Sequence, residues 1–316
     1  MDARSERSVQ DLLTVEGMDR EELREIIETA QDFAQGRFEG GNGVLAGKTV
    51  CLAFFESSTR TAVSFELAAR RNGAFVISLS EKGSSISKGE SLADTVETLD
   101  ALGADAMVLR HSAVGAAQLA TRHTGAAVIN AGDGCGQHPT QALLDLYALS
   151  EARGGFDELC GSKVAIVGDI LHSRVARSVI PAFGAAGVEV AIAGPATLLP
   201  AEADAWGVPV LDSVDEALDW GAETLYMLRL QNERMTGAMV PSVAEYSRYY
   251  GVQRRHLKLG GDLLVMHPGP VNRGVEIAGD VVVDESSLVK SQVAAGVHVR
   301  SAILALATGA VESVTA

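Results

Sequence analysis

Ser57-Ser58-Thr59-Arg60-Thr61-Ala62 sets a run of hydroxyl side chains and one guanidinium directly after the apolar stretch 50–55. That is chemistry for gripping a phosphate. The donors are short or planar, and a helix starting at this point adds unpaired backbone N–H groups and a partial positive charge. The bland alternative is a helix cap, a position that favours Ser and Thr. Three hydroxyls and an arginine together exceed what a cap needs. No glycine-rich loop with Lys before Ser or Thr occurs, which argues against nucleoside triphosphate hydrolysis.

A second cluster is His138-Pro139-Thr140-Gln141, after the glycine-rich residues 131–136. Pro139 suits the first position of a helix. His138 and Gln141 then share a face, an imidazole and a carboxamide suited to a carbonyl oxygen and an NH₂ group. The alternative is capping by His138 with Gln141 in solvent. The polar stretch 83–91 contains Ser84 and Lys88. It reads either as a surface loop or as a lid whose Lys88 completes an anion site. Arg110 follows the apolar stretch 106–109, Arg174 closes 169–174, and Arg229 and Gln231 follow 224–228. A single arginine after a strand is normally a surface residue, whereas several suggest a cleft that collects negative charge. His267-Pro268-Gly269-Pro270, continuing to Gly274, is a rigid turn able to present backbone carbonyls, or simply an ordinary loop. The segment after Val167 lacks Gly-x-Gly-x-x-Gly, so a dinucleotide cofactor is not supported.

The elements that must position these residues alternate. Residues 19–35 read as an amphipathic helix with Leu23, Ile26, Ile27 and Ala30 on one face. Strands are expected at 50–55, 75–79, 106–109 and 127–129, and helices at 61–71, 92–102, 114–122 and 139–149. After a soft boundary at 152–155, strands are expected at 163–167, 189–193, 224–228 and 262–266. Helices there are expected at 175–186 and 214–220, with a last one at 286–307. This is an α/β pattern: two doubly wound parallel-sheet domains of similar size, joined by helices. Their expected limits are 1–150 and 151–285, with the C-terminal helix of 286–316 packing back on the first. In such sheets ligands bind beyond the carboxyl ends of the strands, where every cluster above falls.

The chain has 316 residues, enough for two cores. Its three cysteines are scattered, with no Cys-x-x-Cys pair, and its seven histidines show no metal-ligand spacing, so neither a disulfide framework nor a metal is expected. The formal net charge is −15 without a basic stripe, which argues against nucleic acid. No apolar run approaches the ~18 residues of a membrane span. Residues 1–7 are polar, unlike a signal peptide, so a cytoplasmic location is expected.

Seven ordered segments, from residue 44 to the final helix, resemble the aspartate carbamoyltransferases of the aspartate/ornithine carbamoyltransferase superfamily. They are 54–61, 84–90, 108–111, 130–141, 168–177, 229–234 and 267–276. The resemblance implies transfer of the carbamoyl group of carbamoyl phosphate to L-aspartate, in pyrimidine biosynthesis, with no cofactor. Carried over, Ser58, Thr59, Arg60 and Thr61 would hold the phosphate. Arg110, His138 and Thr61 would polarise the carbamoyl oxygen. Gln141 and backbone carbonyls near Gly269 and Pro270 would take the carbamoyl NH₂. Arg174, Arg229 and Gln231 would bind the aspartate carboxylates. Ser84 and Lys88 would come from a neighbouring subunit of a homotrimer, with Lys88 also serving aspartate. Regulatory chains or a dihydroorotase are further partners left open.

Ornithine carbamoyltransferase shares the phosphate segment, but Lys88 and Arg229-Leu230-Gln231 suit a dicarboxylate better than a diamine. One position departs from the family pattern Ser-Thr-Arg-Thr-Arg, whose last arginine is Ala62 here. That arginine would sit near Glu66 and Asp94, with Arg70, Arg71 or a partner chain as substitutes. A non-catalytic assembly subunit is the contrasting reading.

Overall fold

The structure, a computed structural model, describes residues 11–38, 40–80, 89–230, 242–259 and 261–311. It divides into two units, one running to Tyr147 and resuming at Ala294, the other spanning Ala148–Val293. The first opens with α1 (Arg20–Ala34), started by a capping box. The Asp19 carboxylate accepts from the Glu21 and Glu22 N–H groups, and Glu22 Oε2 accepts from the Asp19 N–H. Leu23, Ile26, Ile27 and Ala30 form its buried face.

The alternation follows as β1 (Thr49–Phe54), α2 (Thr59–Arg71), β2 (Phe75–Ser80), α3 (Leu92–Ala101), β3 (Ala106–His111), α4 (Ala116–Ala120), β4 (Ala127–Asp133) and α5 (Pro139–Arg153). The four strands pair in parallel in the order β2-β1-β3-β4. The strands β1, β3 and β4 are almost wholly buried, as in a parallel sheet covered on both faces, and only the edge strand β2 has exposed residues, Phe75, Ser78 and Ser80. Cys51, Ala53, Met107, Leu109 and Val128 form the centre of one packed layer with Val96, Leu99 and Ala117. Helix α2 stops where the sequence suggests, at Asn72-Gly73. Gly73 has φ 84, and a Cβ there would lie 2.0 Å from the Asn42 carbonyl oxygen, so only glycine fits. Helix α4 is shorter than the expected 114–122, because Gly115 at its N-cap is left-handed, with φ 81.

The second unit contains β5 (Lys163–Val167), α6 (Arg174–Ala185), β6 (Glu189–Ala193), β7 (Val210–Leu211), α7 (Val214–Asp219), β8 (Thr224–Met227), α8 (Val243–Tyr250), α9 (Arg254–Leu259) and β9 (Leu264–Met266). These strands are also parallel, in the order β7-β6-β5-β8-β9. Ala165, Val167, Ala193, Leu225, Met227 and Val265 lie at its core. Sequence reasoning does not find β7, α8 or α9. The strand β7 has two residues, and α8 and α9 bury only Tyr246 and His256 respectively, too little to print a periodic pattern. The last helix, α10 (Val289–Ala307), starts three residues later than expected. Ser287 forms a bridge with Val265, and the Leu288 N–H donates to the Val265 carbonyl, so these residues extend a sheet edge before the helix begins.

Each sheet has one place where neighbouring strands send their connections in opposite directions. Strand β1 leads through α2 to β2, while β3, on its other side, leads to β4. In the second sheet, β5 leads to β6 and β8 leads towards β9. The carboxyl ends of β1 with β3, and of β5 with β8, therefore open a crevice, the usual ligand position in such sheets. No helix among the described residues is long and apolar enough to cross a membrane.

Candidate active site

The hydroxyl-rich segment follows β1 at the first crevice. Ser58 is the N-cap residue of α2, in an extended conformation with φ −159 and ψ 94, yet its side chain makes no capping hydrogen bond. Ser91, Ser173, Ser213 and Ser242 occupy the same position on α3, α6, α7 and α8, and each accepts a backbone N–H. Unlike these four, the Ser58 hydroxyl makes no bond to the helix it starts. Thr59 and Arg60 are exposed and Thr61 is buried.

Arg110 enters the same crevice from the last turn of the neighbouring strand. Strand pairing sets it beside Phe54, and its carbonyl accepts the Phe55 N–H at 2.8 Å. Its buried guanidinium donates to Glu56 Oε1 at 2.8 Å and to the Ala131 carbonyl at 3.0 Å. One residue thus joins the ends of β1, β3 and β4. The loop from β4 to His138 is shaped by a buried carboxylate. Asp133 Oδ1 accepts the Gln137 N–H at 2.7 Å, and Asp133 Oδ2 accepts the Gly115 N–H at 2.7 Å. His138 is buried just ahead of Pro139, the first residue of α5. Gln141, one helical turn on, donates from Nε2 to Asp145 Oδ1 at 2.9 Å. A carboxylate only accepts, so this bond fixes the carboxamide with its NH₂ group towards Asp145 and leaves the oxygen to accept from a ligand NH₂.

In the second unit, Ser173 caps α6 and places Arg174, buried, as its first residue beyond β5. Arg229 is half-buried after β8. The adjacent Leu230 N–H donates to Glu276 Oε1 at 2.8 Å. Asn272 donates to the same carboxylate from its backbone N–H, 2.8 Å from Oε2, and from Nδ2, 2.8 Å from Oε1. Glu276 is wholly buried and ties the loop carrying Arg229 to the loop carrying Gly269 and Pro270. In that second loop, His267 Nδ1 accepts the Gly269 N–H at 2.8 Å, and the Gly269–Pro270 peptide is cis.

Ser84, Lys88 and Gln231 lie outside the described residues. Within the first unit, Ser58 to Thr61, Arg110, His138 and Gln141 stand at or beyond strand carboxyl ends. Arg174, Arg229, Gly269 and Pro270 do so in the second. Sequence reasoning passed over the carboxylates Glu56, Asp145 and Glu276 that hold these groups. Asp145 carried a usable signal, since it lies four residues after Gln141 on an expected helix. Among the described residues, no group of three His, Cys, Asp or Glu side chains is arranged to hold a metal ion.

Residues 10–151 match the aspartate/ornithine carbamoyltransferase carbamoyl-P binding domain, and residues 160–307 match the Asp/Orn binding domain of the same family. The chain belongs to the aspartate/ornithine carbamoyltransferase family. It is 74% identical over 306 residues to the aspartate carbamoyltransferase catalytic subunit of Rubrobacter xylanophilus, covering 97% of this chain and 99% of that one. Aspartate transcarbamoylase from Trypanosoma cruzi, solved in complex with N-(phosphonacetyl)-L-aspartic acid, superposes with a TM-score of 0.82 at 28% identity, over 94% of this chain and 95% of that one. Ornithine carbamoyltransferase from Pyrococcus furiosus superposes with a TM-score of 0.83, also at 28% identity, over 96% of this chain and 98% of that one. The two folds fit equally well, so the backbone does not choose the amino-acid substrate.

Ala62 stands where the resemblance led us to expect an arginine, and the structure shows what becomes of the carboxylates nearby. Glu66 pairs with Arg70 at 2.9 Å on the exposed face of α2, and Asp94 accepts from the Ser91 hydroxyl at 2.7 Å. Both are solvated and partnered, so the loss of an arginine leaves no buried charge uncompensated here. Of the two arginines expected as substitutes, Arg70 is the one that pairs with Glu66.

Glu276 yields a pH prediction. Burial raises its pKa above the ordinary carboxyl value of 4.5, against the opposing effect of the bonds from Leu230 and Asn272. A raised folded pKa contributes stability that is complete below about 4.5 and is lost as pH rises through the folded value. Thermal unfolding followed at a series of pH values should show this decline in the native chain, and Glu276→Gln should lack it.

Proposed function

We infer that this chain is a catalytic aspartate carbamoyltransferase. It transfers the carbamoyl group of carbamoyl phosphate to the amino group of L-aspartate, giving N-carbamoyl-L-aspartate and phosphate, an early step of pyrimidine biosynthesis. The observation that carries this is the 74% identity to an aspartate carbamoyltransferase catalytic subunit across 97% of the chain.

In our reading the phosphate lies on Ser58, Thr59, Arg60 and Thr61, and the uncapped Ser58 hydroxyl supports this. Arg110, His138 and Thr61 polarise the carbamoyl oxygen. The Gln141 amide oxygen and the carbonyls near Gly269 and Pro270 accept the carbamoyl NH₂. Arg174, Arg229, Gln231 and Lys88 bind the aspartate carboxylates. The amine attacks the carbamoyl carbon, and the oxygen becomes a tetrahedral oxyanion. The carbon–oxygen bond to phosphate then breaks, and the departing phosphate takes the amine proton. No covalent enzyme intermediate is required. Holding the two reactants in contact contributes about 7–11 kcal/mol, and each donor at the developing oxyanion roughly 3–4 kcal/mol. The reading includes a cytoplasmic location. It also includes a homotrimer in which Ser84 and Lys88 complete a neighbour's site.

Steady-state carbamoylation by the purified chain, with aspartate and ornithine offered separately, tests the substrate. Turnover with aspartate alone is expected. Turnover with ornithine alone would move the chain to the other branch, and none with either would make it a non-catalytic subunit. Shared sites are tested by mixing Arg60→Ala and Lys88→Ala chains. Hybrid trimers should regain activity, because some sites then draw both native residues, and a complete lack of rescue would place each site within one chain.

A further inference from the structure

Asn130 takes no part in the reaction as described, yet it is buried where β3 and β4 fall out of step. Leu109 lies opposite Asn130, but His111 lies opposite Asp133, so β4 spends three residue steps on two of β3. This is a β-bulge, a device found beside active sites because it turns groups out of the regular ladder. The residue of β3 inside the irregularity is Arg110, and the residues of β4 there are Ala131 and Gly132. The Ala131 carbonyl is aimed at a side chain: it accepts from Arg110 Nη1 at 3.0 Å. Gly132 has φ 114, a conformation that favours glycine.

Backbone groups turned out of a ladder need other partners. The Asn130 carboxamide supplies one and anchors the bulge on both sides. Its Oδ1 accepts the Gly132 N–H at 2.8 Å. Its Nδ2 donates to the Leu13 carbonyl at 3.0 Å and to Asp133 Oδ1 at 3.2 Å. A backbone N–H only donates, while a carbonyl and a carboxylate only accept, so the carboxamide has one orientation. Leu13 adjoins a pairing along the outer edge of β4. There the Leu12 N–H donates to the Val128 carbonyl at 2.9 Å, and the Leu12 carbonyl accepts the Asn130 N–H at 2.8 Å.

We propose that Asn130 is a positioning residue of the carbamoyl site: its carboxamide locks the β4 bulge, so that the Ala131 carbonyl holds the Arg110 guanidinium where the carbamoyl oxygen needs a donor. The proposal rests on the aspartate carbamoyltransferase reading, in which Arg110 polarises that oxygen. Without the carboxamide, the buried Gly132 N–H loses this acceptor, and the bulge shifts to find another. Arg110 then keeps Glu56 on one side but loses the fixed carbonyl on the other. The cost falls on the donor to the developing oxyanion.

The test is Asn130→Ala and Asn130→Asp, each made in the native and in the Arg110→Met background, with kcat, both KM values and the unfolding midpoint measured. The aspartate variant keeps the side-chain shape and the acceptor for Gly132, but as a carboxylate it loses both donations. A reacting geometry loosened by about an ångström costs on the order of 100-fold, so each variant should lose about 10- to 100-fold in kcat. The KM for aspartate should stay within about 3-fold, as expected where an interaction made only in the transition state is weakened. In the Arg110→Met background the same substitutions should cost less than about 3-fold, because coupled residues are not additive. Native kcat in both folded variants, or an equal loss in both backgrounds, would overturn the positioning role. Failure of both variants to fold would overturn it too, making Asn130 a purely structural residue. No aspartate turnover by the native chain, assayed alongside, would overturn the assigned reaction and this proposal with it.

Discussion

The Arg110 guanidinium is held by Glu56 on one side and by the Ala131 carbonyl on the other, at 2.8 and 3.0 Å. Much of the first unit is arranged around such holding. A site for anions needs guanidinium groups, but a buried cation without a fixed partner is costly and one with a mobile partner is useless for alignment. The sequence resolves this with one carboxylate per task. Glu56 holds Arg110, Asp133 shapes the loop before His138, and Asp145 orients Gln141. In the second unit Glu276 does the same for two loops, accepting from two backbone N–H groups and the Asn272 side-chain amide. The chain's acidic balance of −15 is compatible with an anion site, because the donors that matter are local.

Parallel topology brings these groups together. Four strands in the order β2-β1-β3-β4 put the ends of β1 and β3 side by side while sending their connections apart. Ser58 and Arg110 therefore come from segments about fifty residues apart and meet at one crevice. The order β7-β6-β5-β8-β9 repeats the device for Arg174 after β5 and Arg229 after β8. Full burial of the central strands fixes their registers, since every side chain on either face packs against a neighbour.

The parts legible in the sequence were those with strong local signals. The buried strands are short apolar runs, and Asn72-Gly73 stops α2 because the turn beyond it admits no side chain. The candidate anion-binding groups stand out because hydroxyls and guanidiniums after strands are conspicuous. Helices α8 and α9 were not legible, since each buries a single residue. The start of α10 was misjudged because Ser287 is drawn into a bridge with Val265, a contact that no local pattern encodes. Glu56 and Glu276 were missed for a related reason, whereas Asp145 lies only four residues from its partner Gln141. A carboxylate that accepts from a partner distant in sequence looks, in the sequence, like any surface acid. The consequence of Ala62 also required coordinates, because it depended on whether Glu66 and Asp94 were buried.

The central claim is that Ser58 to Thr61 cradle a phosphate and that Arg174 and Arg229 take the carboxylates of a dicarboxylic amino acid. A crystal structure of the chain with N-(phosphonacetyl)-L-aspartic acid bound measures both halves at once. The account predicts the phosphonate on the Ser58 hydroxyl and the α2 N-terminus, the amide oxygen near Arg110 and His138, and the two carboxylates on Arg174 and Arg229. A phosphonate bound away from α2, with the Ser58 hydroxyl turned back to cap the helix, would contradict it.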